Sequence, residues 1–190
     1  MKLNLLKQIE NKQIISKNEP VVVALSGGVD SMVLFHILYS LNKNLIIAHV
    51  NHNKRKASVN EYKYIEKMAK QFNVPFEGYT LNSDTSNNFQ EDARLKRYDF
   101  FKAIAQKHQS TKIAVAHHLD DQVETVLMRI VRGTSFRGYS GIKSIRLDRN
   151  LAIIRPLMDT KKNEIIQYAI DHDIKYFEDA SNQEDYYTRN

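Results

Sequence analysis

Ser26-Gly27-Gly28-Val29-Asp30-Ser31 follows the apolar run Val21–Leu25 and leads into an apolar-rich stretch from Met32 to Leu41. That order predicts a strand, a glycine turn and a helix, and such a turn can cradle phosphate. Two glycines let the backbone approach an anion without Cβ obstruction. The first helical turn then offers unpaired N–H groups and the positive end of the helix dipole. Ser26 and Ser31 add hydroxyl donors, whereas Asp30 would repel phosphate unless a divalent cation lies between them. The chemistry predicts ATP with Mg2+, bound by Ser26, Gly27, Gly28, Val29, Asp30 and Ser31. A strand, turn and helix without any ligand would carry the same short motif, so context has to decide. The motif is not the Walker pattern, since no Gly-Lys-Ser/Thr follows, nor the spaced-glycine dinucleotide fingerprint.

A second concentration of reactive groups is Ala116-His117-His118-Leu119-Asp120-Asp121-Gln122-Val123-Glu124-Thr125. On a helix, Asp120 and Glu124 share one face at i,i+4, as do His117 and Asp121, giving carboxylates suited to a hard cation or an ammonium group. Asp120 could equally be an N-cap. Zinc is the other ligand that two histidines and three carboxylates suggest, but the usual ligand spacing is missing and no cysteine helps. Magnesium at Asp30 and Asp121, with a cationic substrate nearby, fits better. Arg94 and Arg97 lie in Glu91–Tyr98, a helical stretch whose charge spacing ordinary surface ion pairing also explains. At His49-Val50-Asn51-His52 polar residues emerge where an apolar strand ends, so both a structural and a nucleotide-binding role stand for His49.

These residues need elements to hold them. Apolar runs at Val21–Leu25, Leu45–Val50 and Ile113–Ala116, with a weaker one at Pro75–Thr80, alternate with helical patterns at Ser31–Leu41, Ser58–Phe72, Gln90–His108 and Asp120–Val131. The fold class expected is α/β: a parallel twisted sheet with helices on both faces. Ligands then belong at the carboxyl ends of the strands, where Ser26–Ser31, His49–Arg55 and His117–Glu124 all begin. Gly133–Asn150 carries three glycines and several basic residues without clear periodicity and reads as a mobile loop over that crevice. Ile153–Leu157 reads as extended and Lys161–His172 as helical.

With 190 residues the chain suits one domain with a sizeable core. It contains no cysteine, which excludes disulfides, thiolate metal sites, iron–sulfur ligation and a cysteine nucleophile within these residues. No segment has the apolar length of a membrane span or a signal peptide, so a cytoplasmic protein without membrane contact is expected. Net charge +6 and pI near 9.3 favour a polyanionic partner. Lys54-Arg55-Lys56 and the group Arg129, Arg132, Arg137, Lys143, Arg146 and Arg149 suggest an RNA-facing rim, with Arg55, Arg132 and Arg137 as its candidate contacts.

SGGVDS resembles the PP-loop of ATP pyrophosphatases, which split ATP between the α- and β-phosphates (the adenine nucleotide alpha hydrolase-like fold). With HVNHNKR, EDARLKRY, AHHLDDQVET, RGTSFRG and RPL in this order, the chain is similar over essentially its whole length to the catalytic domain of the tRNA(Ile)-lysidine synthetase family. The resemblance implies ligation of free lysine to the wobble cytidine of an isoleucine tRNA with anticodon CAU, through an adenylated base, with release of pyrophosphate and AMP. It implies phosphate binding by Ser26, Gly27, Gly28, Asp30 and Ser31, and it places Asp121 and Glu124 in the DDQxET motif and Arg94 and Arg97 on the arginine-bearing helix. Physically, Arg94 or Arg97 could stabilise charge on the activated cytidine or α-phosphate, and Asp121 or Glu124 could hold lysine's ammonium. Lys54 departs from the family, which commonly has an apolar residue there. The segment Glu178–Asn190 resembles one that in the family runs on into a helical tRNA-binding region, so residues 1–190 are expected to be the PP-loop catalytic domain with that region missing. A homodimer is open to it. Two other PP-loop activities compete with this reading, tRNA thiolation, which generally delivers sulfur through cysteines, and ammonia-dependent amide synthesis, which needs no RNA.

Overall fold

The computed structural model describes residues 5–51, 57–81, 89–133 and 140–177. Along the chain the elements run α1 (Leu5–Asn11), β1 (Val21–Ala24), α2 (Val29–Leu41), β2 (Leu45–Asn51), α3 (Ala57–Gln71), β3 (Phe76–Thr80), α4 (Phe89–Lys107), β4 (Lys112–Ala114), α5 (Leu119–Val131), β5 (Ile145–Asp148), β6 (Leu151–Ile154) and α6 (Lys162–Asp171). The weak run before Thr80 is thus a strand, β3, paired in parallel with β2.

Alternation along β1 divides the core in two. Val21, Val23 and Leu25 enter a cluster with Leu5 and Ile9 of α1, Phe35 and Leu38 of α2, Ile65 and Met68 of α3, and Ile165 and Tyr168 of α6. Val22 points to the opposite face, where Ile46, Ile113 and Ile153 meet Phe101, Ile104 and Ala105 of α4. Helices therefore cover both faces, as the unbroken apolar runs required, and every residue of β2 is buried. α1 was not among the expected elements, although Leu5 and Ile9, one turn apart, are its buried pair.

The six strands lie in the order β3-β2-β1-β4-β6-β5. β1 pairs in parallel with both β2 and β4, and β4 with β6. The expectation of an irregular loop over 133–150 needs correction in its second half. Ile145–Asp148 pairs antiparallel with β6 and forms the edge of the sheet. Asp148 faces Leu151 across a tight two-residue turn, made possible by Arg149 at φ 54. Alternation of Ile145 and Leu147 with Arg146 and Asp148 was the available signal, masked by the basic and glycine-rich surroundings.

After β1 the chain passes to β2 on one side, and β4 lies on the other. This is the topological switch point of an open α/β sheet, where the loops leaving β1 and β4 diverge to leave a crevice.

Candidate active site

Ser31 closes the glycine loop. Its buried hydroxyl accepts the backbone N–H of Ser26 at 3.2 Å and of Gly27 at 3.1 Å, and donates to the Gly28 carbonyl at 2.9 Å. That hydroxyl organises the cradle, and its proton is directed at the loop's own backbone. α2 begins immediately after, with Gly28 as N-cap and Met32 N–H donating to the Gly28 carbonyl at 3.0 Å. The first helical turn thus directs its free N–H groups and positive dipole end at the crevice. Gly27 has φ +95, and a Cβ there would lie 3.3 Å from both Ile65 Cδ1 and Phe177 Cδ2. Its glycine is demanded by backbone shape and by packing behind the loop, a different reason from the clearance for an anion that the sequence suggested. Phe177 N–H also donates to the Gly27 carbonyl at 2.9 Å, clamping the loop from outside.

The crevice holds a cavity of about 230 Å³ lined at one end by Ser26, Asp30 and Ser31 and at the other by Arg97, Tyr98 and His117. His117 is not on α5 beside Asp121, as helical spacing suggested, but in the extended segment that follows β4. Its Nδ1 accepts the Arg155 Nε–H at 3.3 Å, leaving the proton on Nε2. Burial, then the Arg155 charge, pulls its pKa down to about 4, so His117 is a neutral N–H donor in the site at pH 7. Arg155 is itself buried, donates to the Lys143 carbonyl at 2.8 Å and is hydrogen-bonded to Tyr98. Burial also lowers the pKa of Arg97 from its ordinary high value, leaving a cation beside the cavity. Arg155 entered the sequence analysis only as a letter of RPL, because nothing in the sequence joins it to His117.

Three carboxylates surround one imidazole, Asp120 at 3.7 Å from His118 Nδ1 and two more at Nε2. His118 Nε2 lies 3.8 Å from Asp30 Oδ1 and 3.5 Å from Asp121 Oδ2. His118 is the N-cap of α5, and Asp121 accepts its backbone N–H at 2.9 Å. Asp120, open as a cap, instead accepts the Lys162 backbone N–H at 2.6 Å and ties α6 to α5. The Lys162 ammonium lies 2.6 and 2.7 Å from the two oxygens of Asp30. The sequence did offer a clue to Lys162. Lys161 and Lys162 stand where the helix dipole disfavours cations, which points to a partner outside the helix.

Among the described residues no group of three or more His, Asp or Glu side chains could hold a metal by itself. Magnesium asks for less, being held by one or two carboxylates together with substrate phosphates. Asp30, already paired with an ammonium, and Asp121, gathered with it at one nitrogen beside the cradle, fit that requirement.

Of the other expected residues, Arg94 and Glu124 are exposed, on α4 and α5, outside the cavity lining. His49 is 3% exposed and donates from Nδ1 to the Leu25 carbonyl at 2.7 Å, pinning β2 to the end of β1 behind the cradle. Burial lowers its pKa. Arg132 is the exposed C-cap of α5, and Lys143, Arg146 and Arg149 are exposed beyond it. Arg55 and Arg137 lie outside the described residues, as do the side chain of Glu91 and residues 178–190. Among the described residues no helix is long and apolar enough to cross a membrane.

Residues 1–190 match a family model described as the PP-loop domain. Among curated proteins the chain is similar to a bifunctional protein TilS/HprT of Listeria monocytogenes, 39% identical over 197 residues that take in 97% of this chain and 30% of the relative. It is similar to a tRNA(Ile)-lysidine synthase of Clostridium tetani, again 39% identical over 197 residues, covering 97% of this chain and 41% of that protein. The chain therefore spans less than half the length of these relatives. Among solved structures, the U34-tRNA thiolase NcsA from Methanococcus maripaludis, with its 4Fe-4S cluster, superposes with TM-score 0.76 at 20% identity, covering 92% of this chain and 64% of that one. An NH3-dependent NAD synthetase from Campylobacter jejuni superposes with TM-score 0.58 at 15% identity, covering 90% and 71%. Both likenesses bear on the fold, a mostly parallel sheet with helices around it.

Proposed function

The chain belongs to the PP-loop family of ATP-binding domains, and from that premise we propose that it ligates lysine to the wobble cytidine of an isoleucine tRNA with anticodon CAU. One observation supports this most strongly. Ser26, Asp30 and Ser31 of the cradle line a single crevice with Arg97 and His117, and Asp121 meets Asp30 at His118 Nε2, in a chain 39% identical to a tRNA(Ile)-lysidine synthase.

ATP lies with its phosphates against Ser26, Gly27, Gly28, Val29, Asp30 and Ser31, where helix N–H groups and the dipole receive them. Asp30 and Asp121 would hold magnesium, which when bound would supply positive charge beside the phosphates. The cytidine carbonyl oxygen attacks the α-phosphorus, forming an O–P bond as the bond to pyrophosphate breaks. Arg97, with Arg94 one turn away, stabilises the negative charge that spreads over the α-phosphate oxygens. His117 offers a neutral Nε2–H to the same region at no cost in proton uptake. Lysine's amine then attacks the activated ring carbon, a C–N bond forms, and AMP leaves with the former carbonyl oxygen. Asp121 or Glu124 holds the ammonium as lysine enters and takes up the proton it must lose. Arg132, together with Arg55 and Arg137, meets tRNA phosphates.

The thiolase neighbour carries an iron–sulfur cluster, whereas these 190 residues contain no cysteine to hold one. The test is transfer of radiolabelled lysine to tRNA transcripts. Lysine should enter a CAU transcript and not a GAU transcript, and Asp30→Ala should abolish transfer. Equal labelling of both transcripts, or full transfer by Asp30→Ala, would overturn the proposal.

A further inference from the structure

We propose that Lys162 is an exchangeable counter-ion of the phosphate cradle, which competes with a divalent cation for the two oxygens of Asp30. This rests on the reading of Asp30 as a metal-side carboxylate and adds a residue that neither the motifs nor the relatives' names assign.

The geometry is that of a two-oxygen ion pair, with Nζ at 2.6 Å from Oδ1 and 2.7 Å from Oδ2. A hard cation needs at least one of those oxygens, and both already face the ammonium. α6 itself gives Lys162 no reason to be there. It is the first residue of that helix, next to Lys161, at the end where the macrodipole repels positive charge. The backbone is nevertheless fixed, because the Lys162 N–H donates to Asp120 on α5. A rigid anchor with a flexible four-carbon stem lets the ammonium leave Asp30 without moving the helix. The side chains are 37% and 27% exposed, so solvent weakens the pair enough for exchange.

The arrangement solves a problem posed by Asp30. A bare carboxylate at the cradle would repel the polyphosphate, whereas one neutralised by Lys162 does not. When a divalent cation arrives with the nucleotide, it takes over Asp30 and approaches Asp121, which meets Asp30 at His118 Nε2. The released ammonium remains at the mouth of the cradle, within a side chain's length of the phosphates. Total positive charge at the site therefore rises as ATP enters, when it is needed.

The experiment is titration of the 190-residue chain with Mn2+ alone, without nucleotide, followed by electron paramagnetic resonance. Lys162→Met should bind Mn2+ about tenfold more tightly than the unsubstituted chain, since the competing ammonium is gone. Lys162→Gln should do the same, and Lys162→Arg, which keeps the competitor, should bind as the unsubstituted chain does. Unchanged or weaker Mn2+ affinity in both neutral variants, with thermal unfolding intact, would overturn the exchange. Asp30→Asn should lose the Mn2+ site. If it binds Mn2+ normally, the metal-side reading of Asp30 fails and the competition falls with it, an outcome distinct from failure of the Lys162 variants alone.

Discussion

Replacing His117 with glutamine should flatten the acid limb of the protein's stability curve. In the folded chain burial, reinforced by the Arg155 guanidinium and only partly opposed by Asp121, pulls the His117 pKa from 6.5 to about 4. Between those values the unfolded chain binds a proton that the folded chain refuses. The neutral histidine's contribution is therefore complete above pH 6.5 and is lost as pH falls towards 4. At about 1.4 kcal/mol for each factor of ten in proton affinity, the loss by pH 4 is roughly 3 kcal/mol. Glutamine can accept from Arg155 through Oε1 and still present an N–H to the cavity, but it does not titrate. The assay is urea unfolding of both proteins at about pH 7.5 and about pH 4, comparing the change in each. Effects of the other titrating groups cancel in that difference. The unsubstituted protein should lose roughly 3 kcal/mol more than the variant. Arg155→Met should recover part of this loss by removing the second cause. A pH-independent difference, or a native protein that gains on the variant towards acid, would refute the electrostatic account of His117.

Gly27→Ala should lower stability by roughly 1–3 kcal/mol in thermal unfolding, because φ +95 is strained for any residue with a Cβ and the new methyl must displace Ile65 or Phe177. An unchanged melting temperature would contradict that reason for the glycine. Glu124→Gln or Asp121→Asn should raise the KM for lysine about tenfold, since a charge-assisted contact to an ammonium is worth roughly 1.5–3 kcal/mol. If neither substitution moves the lysine KM or the magnesium requirement, both carboxylates are structural. Arg132→Ala should weaken tRNA binding on all transcripts and reduce the slope of log affinity against log salt by nearly one unit, with ATP binding intact. A slope that does not change would remove Arg132 from the tRNA surface.

The fold was legible because its central strands are buried on both faces. Val21–Leu25 is a continuous apolar run and Leu45–Val50 is one interrupted only by His49, so both admit few other placements, and the helix after Ser31 carries its own start signal. The elements at the margins were less so. α1 is one short turn pair, recognisable only by Leu5 and Ile9, and β5 hides its alternation among charges on an exposed edge. At the site, whatever belongs to one contiguous segment could be read directly. The cradle is such a segment; the run from His117 to Glu124 was visible as a concentration of polar groups, but not that His117 precedes α5 or that Glu124 lies outside the cavity lining. What could not be read depends on pairs distant in sequence: Asp30 with Lys162, His117 with Arg155, and Gly27 with Phe177. Each is made by α6 or by the segments flanking it packing back against the crevice, and no local pattern encodes that return. His49 shows the reverse case. Its position at a strand end suggested a ligand contact, whereas its partner is the carbonyl of the neighbouring strand.

The central claim is that the crevice between β1 and β4 adenylates a tRNA base before lysine is used. The direct measurement is transfer of label from α-phosphate-labelled ATP to tRNA transcripts in the absence of lysine, followed by a lysine chase. The account predicts label on the CAU transcript but not the GAU transcript, stoichiometric release of pyrophosphate, and release of labelled AMP when lysine is added. AMP formation that needs no tRNA, or labelling that ignores the anticodon, would contradict it.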